Sequence, residues 1–326
     1  MILGQAALWL NLLTIAALCL FVGILLVSAA FTVITRVPLF SVRLSARARR
    51  VLLWSAVSLP WLAAGAAATV LVFPGVLGER AASLAHWHHI HAFNIFSWHG
   101  LSALGFLALT AVVLVRSIHR AYRHLAQLRL LLQVCEYEAG DTTIIRSPRA
   151  QAFTSGLLRP RGFYTSGLRD GVSADEFAVV RLHEEAHVRR RDPLKKLLFA
   201  LLAGFFPGAQ RNYLNRQMML CMEQCADEQV SRQGWSETFI AQTLLKVTRL
   251  SNGLPLSGLQ AGNAGSPLCC HFALDQLDAR ILYLLADNKG RSCPTILIGI
   301  LFLLLAASCL FSVDALHHII ETLFSH

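Results

Sequence analysis

From Ala6 to Ile34 the chain runs without a single charged side chain. Crossing the ~30 Å hydrocarbon layer of a bilayer takes about 20 apolar residues at 1.5 Å each, and this run is long enough. Three further runs, roughly Val51–Leu77, His99–Val115 and Pro294–Val313, have the same character. A chain that is 55% hydrophobic and only 15% charged is too apolar for an ordinary soluble enzyme. The opening MILGQ carries no lysine or arginine and its apolar run is too long for a cleavable signal, so the first run is read as a retained span. Four transmembrane helices are predicted.

The net charge is +10, and its distribution sets the topology. The connection Thr35–Arg50 carries Arg36, Arg43, Arg47, Arg49 and Arg50. The connection Gly78–Trp98 carries only Arg80, and nothing after Arg291 is basic. Basic residues stay on the cytoplasmic side, which places the first connection and His119–Ser292 inside. The expected organisation is residues 1–118 as three spans with a His-rich external loop, 119–292 as a cytoplasmic domain, and 293–326 as a fourth span with a short external tail. The protein is thus expected to be multi-pass in the inner (cytoplasmic) membrane. Topology accounts for much of the basic excess, so direct nucleic-acid binding is not expected.

Chemistry concentrates in Arg181–Asp192, RLHEEAHVRRRD. Residues four apart on an α-helix lie about 40° apart on one face. His183 and His187 can therefore offer ring nitrogens to one cation, with Glu184 beside them to take a proton from an activated water. A second helical stretch carries Glu223 and Asp227, again four apart. Two histidines and a carboxylate meet the three-ligand demand of a catalytic zinc. Glu223 is the expected third ligand, and Asp227 the carboxylate that receives a ligand histidine's other N–H. Chance alone produces H-E-x-x-H now and then; the second motif, in this order, argues against chance.

The cytoplasmic segment is expected to be α+β. Thr142–Ile145, Gln151–Phe153 and Gly162–Thr165 read as short strands separated by Pro148, Gly156, Pro160 and Gly167. Ser173 and Glu176 form a capping-box pattern at the start of the helix bearing the histidines. Leu194–Phe206 is apolar but short for a span, and is expected to be buried or interfacial. Gln210–Gln233 reads as helix, and Ser251–Ser266 as an exposed loop. His119–Leu132 reads as a basic stalk. Cys221 and Cys225 are expected to be small packing residues rather than a thiolate site, and Cys269-Cys270-His271 is a weak metal candidate.

Taken together, SPRAQAFTSGLLRPRGFYTSGL, HEEAHVRRRDPL and EQCADEQV resemble the BlaR/MecR-type (antirepressor) membrane metallopeptidases, closely over about Ile144–Val230 and by layout alone in the flanking spans. The resemblance implies zinc held by His183, His187 and Glu223, Glu184 as catalytic base, and Asp227 orienting a histidine. It also implies a zinc endopeptidase that cleaves a cytoplasmic protein, a transcriptional repressor, in response to an external signal. Asp192 falls in the family's R-R-D, where it reads as a helix-end residue or a partner behind the ligands. The β-lactam sensors of that family carry an S-x-x-K nucleophile in an external domain. No S-x-x-K occurs here, so direct acylation by a β-lactam is not expected.

Two other functions fit part of the pattern: a quality-control membrane zinc peptidase and a non-enzymatic metal-binding receptor. The strand-rich lead-in and R-R-D weigh against the first, and Glu184 against the second. Tyr213 or a nearby arginine is a candidate oxyanion donor, and the edge of the strand layer that contains Gln151–Phe153 a candidate docking edge for substrate. The outer connection reads HWHHIHAFNIFSWHG, where His86, His88, His89 and His91 can chelate an external metal ion. The plain alternative is interfacial residues beside Trp87 and Trp98. The expected partners are the bilayer, the protein substrate, that external ion and, as a homodimer, a second copy of the chain.

Overall fold

The structure is a computed structural model and describes residues 2–35, 44–72, 92–94, 96–138, 142–252, 270–271, 276–286, 299–308 and 311–312. The apolar runs form helices α1 (Gln5–Thr35), α2 (Ala46–Val72) and α3 (Trp98–Val134). Among the described residues two helices are long and apolar enough to cross a membrane, Gln5–Ala30 within α1 and Gly100–Gln127 within α3. The second expected run is helical as α2, with Pro60 inside it. The described part of the fourth is a shorter apolar helix, Gly299–Ser308.

The expected third span and basic stalk are not separate elements. With no glycine or proline between Leu107 and Val134 to break it, α3 continues through both for 37 residues, about 55 Å. Large apolar side chains stay exposed along these helices, among them Trp9, Phe21, Leu101, Leu107 and Val115. Such a belt is costly in water and at home in lipid.

A mixed sheet follows, in the order β3 (Cys135–Glu138), β4 (Thr142–Ile145), β6 (Arg161–Thr165), β5 (Ala152–Ser155) and β7 (Cys270–His271). Strand β4 runs parallel to β6, with Ile144 opposite Tyr164; the other pairings are antiparallel. Gly156 turns the chain out of β5 at φ +110°, where any Cβ would lie 2.7 Å from the Arg159 carbonyl oxygen. Within the layer β5 is an interior strand, between β6 and β7, with Phe153 opposite His271 and Thr154 opposite Cys270, so the edges of the layer are β3 and β7. A strand paired on both sides has no free N–H and C=O row for a peptide. Two short strands, β1 (Ile2–Leu3) and β2 (Ala92–Phe93), pair antiparallel, Ile2 with Phe93 and Leu3 with Ala92, and join the start of α1 to the lead-in of α3.

Six further helices complete the described chain: α4 (Ser166–Gly171), α5 (Ala174–Arg190), α6 (Asp192–Ala203), α7 (Gly208–Ser231), α8 (Glu237–Asn252) and α9 (Leu277–Leu284). Helix α5 begins with the expected capping box: Glu176 N–H donates to Ser173 Oγ at 3.2 Å and Ser173 N–H to Glu176 Oε2 at 2.7 Å. The apolar segment after Asp192 forms α6 and is buried through Phe199, Ala200 and Ala203.

Two hydrophobic clusters bear on the helices that carry the histidines and acids, a third and smaller one being Ala7, Phe93 and Ala103. Val179, Val180, Leu168, Ile240 and Leu244 pack α5 against α4 and α8. Phe199, Leu214 and Met218 pack instead against Ile15, Leu20, Leu53 and Val57 of α1 and α2. Edge-on ring contacts reinforce that seam, Trp54 on Phe199 at 5.3 Å and Trp61 on Phe205 at 4.8 Å. The apolar helices therefore share one hydrophobic cluster with α6 and α7, which carry Asp192, Glu223 and Asp227, while α5 with the histidines packs in the other. His86, His88, His89 and His91 lie outside the described residues; of the loop expected over Ser251–Ser266, the first two residues end α8 and residues 253–266 lie outside the described residues.

Candidate metal centre

Helices α5 and α7 pack against each other and bring the two motifs face to face. His183 Nε2 lies 3.2 Å from Glu223 Oε2 and 3.1 Å from His187 Nε2, and His187 Nε2 lies 3.6 Å from Glu223 Oε1. The three ligand atoms all fall within 4.8 Å of one another, and all three residues are buried. This buried His183–His187–Glu223 group can hold a metal ion.

The rear of each histidine explains why its front is a ligand. His187 Nδ1 lies 2.6 Å from Asp192 Oδ2, and His183 Nδ1 lies 2.9 Å from Asp227 Oδ1. An ionised carboxylate only accepts, so each Nδ1 carries the ring proton and each Nε2 presents a lone pair. Two lone pairs and the Glu223 carboxylate then converge with no proton between them. Such an arrangement repels itself unless a cation sits at its centre, so the donors fit a bound metal. Two nitrogens and one oxygen suit zinc among other divalent ions.

Charge tells the same story. Four buried carboxylates, Glu184, Asp192, Glu223 and Asp227, meet two guanidiniums, Arg190 and Arg280. Arg280 grips Asp227 with two bonds of 2.9 and 2.7 Å, and its other terminal nitrogen lies 3.4 Å from Glu223 Oε2. Even with Glu184 neutral, the three ionised acids Asp192, Glu223 and Asp227 outnumber the two guanidiniums, which favours a bound cation. Burial alone would raise the Asp192 carboxyl, but His187 and then Arg190 bring it down to about 2.

Local backbone geometry delivers Asp192 to its place. Helix α5 ends on Arg191, whose φ of 53° and ψ of 45° are left-handed, and its N–H caps the carbonyls of His187 and Val188. That reversal swings Asp192, the first residue of α6, back beneath His187. Arg190 bonds Asp192 Oδ2 at 3.1 and 2.9 Å and reaches the Met222 carbonyl at 3.2 Å, tying α5 to α7 beside Glu223. The R-R-D sequence is thus a clamp on the second histidine. Changing Asp192 or Asp227 to Ala is expected to weaken metal affinity about 10–100-fold, measured by competition with a chromogenic chelator. Wild-type affinity in both variants would show that neither orients a ligand.

Glu184 stands apart from the three ligands. It is fully buried, Thr154 Oγ1 of β5 donates to its Oε2 at 2.6 Å, and its Oε1 has no hydrogen-bonding partner among the described residues. Burial pushes its carboxyl up, against the pull of His187 and His183. Asp192 Oδ1 is likewise unpartnered among the described residues, but the other oxygen of Asp192 is held by His187 and Arg190, whereas Glu184 bonds neither ligand histidine.

Tyr213 does not belong to the site. It lines a cavity of about 180 Å³ with Ser28, Thr32, Phe206 and Gln210, ten residues before Glu223 and roughly 15 Å away along α7. The arginines beside the candidate ligands are Arg190 and Arg280, and both are bonded to the acids. Cys221 and Cys225 are buried free thiols, and burial pushes Cys221 up to about 11, as suits packing residues. Cys270 and His271 form strand β7.

Sequence reasoning missed Arg280 and Thr154. The signal for Arg280 was present: it lies four residues before Leu284 on one face of LDARILYL, and an arginine on an apolar face needs a buried anion. Thr154 gives no such signal, because a threonine in a short strand is ordinary. No family model matches this chain, and no curated protein matches it.

Proposed function

We propose that the protein is a multi-pass membrane zinc endopeptidase of the BlaR/MecR (antirepressor) type, with its catalytic domain on the cytoplasmic side. Its substrate would be a cytoplasmic protein, a repressor by the resemblance of its motifs. The observation that carries the reading is the convergence of three lone-pair donors beside a buried carboxylate whose second oxygen is unpartnered. A purely structural metal site needs only the ligands; the added base is what hydrolysis needs.

In this mechanism His183, His187 and Glu223 would hold zinc, which lowers the pKa of water toward about 7 and polarises a carbonyl. Thr154 holds one oxygen of Glu184 and leaves the other free to accept a proton. Glu184 takes the proton from the attacking water and returns it to the leaving amine. Its raised affinity for a proton suits that shuttle. Asp192 and Asp227 keep both imidazoles in the ligand tautomer throughout.

Regulation fits the packing. His183, Glu184 and His187 are fully buried, so substrate entry requires movement. Helix α3 is bonded to the catalytic layer where Gly156 N–H donates to His124 Nε2 at 3.2 Å, two residues from Thr154. The inner end of α2 is bonded to α7 where Arg49 meets Gln224, next to Glu223. Helix motion in the membrane would act on both sides of the centre.

The test is to extract the full-length protein in detergent, count its metal, and compare new protein N-termini in cells expressing wild type and His187→Ala. One zinc per chain, with cytoplasmic cleavages that vanish in the variant and on chelation, is expected. Absence of bound metal would overturn the centre, and metal without site-dependent cleavage would leave a non-enzymatic receptor. A reporter fused after Ser266 is expected to behave as cytoplasmic; an external reporter would overturn the topology.

A further inference from the structure

Helix α3 carries no charge from Gly100 to Val115, and its first charged residue is Arg116. About 20 residues at 1.5 Å span the hydrocarbon, so a count from Trp98 ends next to Arg116. On the reading that α3 crosses the bilayer, Arg116 and Arg120, one turn on, stand at the depth of the inner phosphates. The helix surface there is mixed: Ile118 and Tyr122 remain more than 60% exposed beside the two arginines.

A third guanidinium joins them from elsewhere in the chain. The turn between α6 and α7 packs on α3, with the Val113 side chain 2.9 Å from where a Cβ on Gly204 would sit. Arg211 follows in the first turn of α7, its guanidinium reaching back to within 3.9 Å of the Cβ position of Gly208. It lies within electrostatic reach of Arg120, as does Arg116. Arg120 is held in place along α3, its Nε donating to the Arg116 carbonyl at 3.3 Å and a terminal nitrogen to Ser117 Oγ at 3.2 Å.

None of the three arginines pairs with a carboxylate among the described residues. The first turn of α7 adds to the positive field, since its N-cap is Pro207, which supplies no side-chain cap. Three like charges held together at the membrane boundary repel one another until an anion sits among them. Arginine forks match phosphate oxygens, and basic pockets between membrane helices on the cytoplasmic side bind anionic head groups.

We infer that Arg116, Arg120 and Arg211 form a binding site for the phosphate of an anionic phospholipid in the inner leaflet, clamping α3 to the start of α7. The lipid thereby joins the long membrane helix to the helix that carries Glu223 and Asp227. The site rests on the proposed spanning role of α3 and is independent of metal and proteolysis.

The test uses full-length protein, first inserted into nanodiscs of phosphatidylcholine alone. Failure to insert would count against the spanning reading itself and is read separately. Protein recovered from discs containing equal phosphatidylglycerol and phosphatidylcholine is then examined by native mass spectrometry. Wild type is expected to retain phosphatidylglycerol at least about tenfold over phosphatidylcholine. Each basic residue near the surface is worth about fivefold, so Arg116→Gln, Arg120→Gln and Arg211→Gln together should lower retention on the order of 100-fold. The corresponding triple lysine variant should stay within about tenfold of wild type, since charge is kept and only the fork is lost. Arg159→Gln, on the exposed turn after β5, should change nothing. Equal retention of the two lipids by wild type, or undiminished retention by the triple Gln variant with an unchanged melting profile, would overturn the site. So would displacement of the lipid by millimolar inorganic phosphate, which would make the ligand a free anion.

Discussion

Replacing Glu184 by Gln is expected to lower peptide-bond cleavage by about 10²–10⁴-fold while leaving bound metal unchanged. The argument is geometric. Glu184 lies beside the ligand triad and outside it, so the amide removes no donor from the metal. Glutamine keeps the shape and still accepts from Thr154 Oγ1 through its amide oxygen, which preserves the bond to β5. What it cannot do is accept the proton of the attacking water. Metal content by atomic emission and turnover on a peptide library should therefore separate cleanly. Full activity in the variant would remove Glu184 from the base role. A simultaneous loss of metal would make Glu184 a ligand instead.

How much of this could be read beforehand depended on spacing. Residues four apart on a helix share a face whatever packs around them, so His183 with His187, and Glu223 with Asp227, were legible as pairs. That α5 and α7 would press those faces together follows from tertiary packing, which spacing along one helix does not contain. The capping box at Ser173 is equally local and was legible for the same reason. The positions of β4, β5 and β6 were legible within two residues from Thr, Ile and Phe runs bounded by Gly and Pro, whereas β3 and β7 were not. The pairing order was not legible either: β7 reaches β5 from more than a hundred residues away and makes β5 an interior strand. The stalk was set apart from the third span because its composition changes at Arg116. Backbone continuity obeys different physics, since arginine and leucine are both good helix formers and nothing in between breaks the helix.

Asp192 shows the limit most clearly. Its motif was legible, yet its task depends on one left-handed residue, Arg191, and no periodicity encodes that reversal. The long apolar runs were legible as helices, but not that α1 and α2 would share their hydrophobic cluster with α6 and α7.

The second large effect is expected at Arg280, the residue that sequence reasoning passed over. Changing it to Leu fits the apolar face it shares with Leu284 and removes the only guanidinium that the structure places on Asp227 among the described residues. Asp227 is fully buried, and burial alone would raise its carboxyl; Arg280 first, and then His183, hold it below its ordinary value. Breaking such a pair from one side costs about 3–5 kcal/mol, because the remaining charge is stranded in a medium that cannot solvate it. The relief open to Asp227 is to take up a proton, and it would then no longer accept from His183 Nδ1. That histidine would be free to adopt the wrong tautomer, and the metal site would weaken with the fold. Arg280→Leu should therefore lower both the melting temperature in detergent and the affinity for zinc. The double variant Arg280→Leu with Asp227→Asn should regain part of the stability, since it removes the stranded charge, but not the metal affinity. Recovery of neither would mean that Arg280 acts through packing alone, and a wild-type melting profile in the single variant would show that the buried acids do not depend on it.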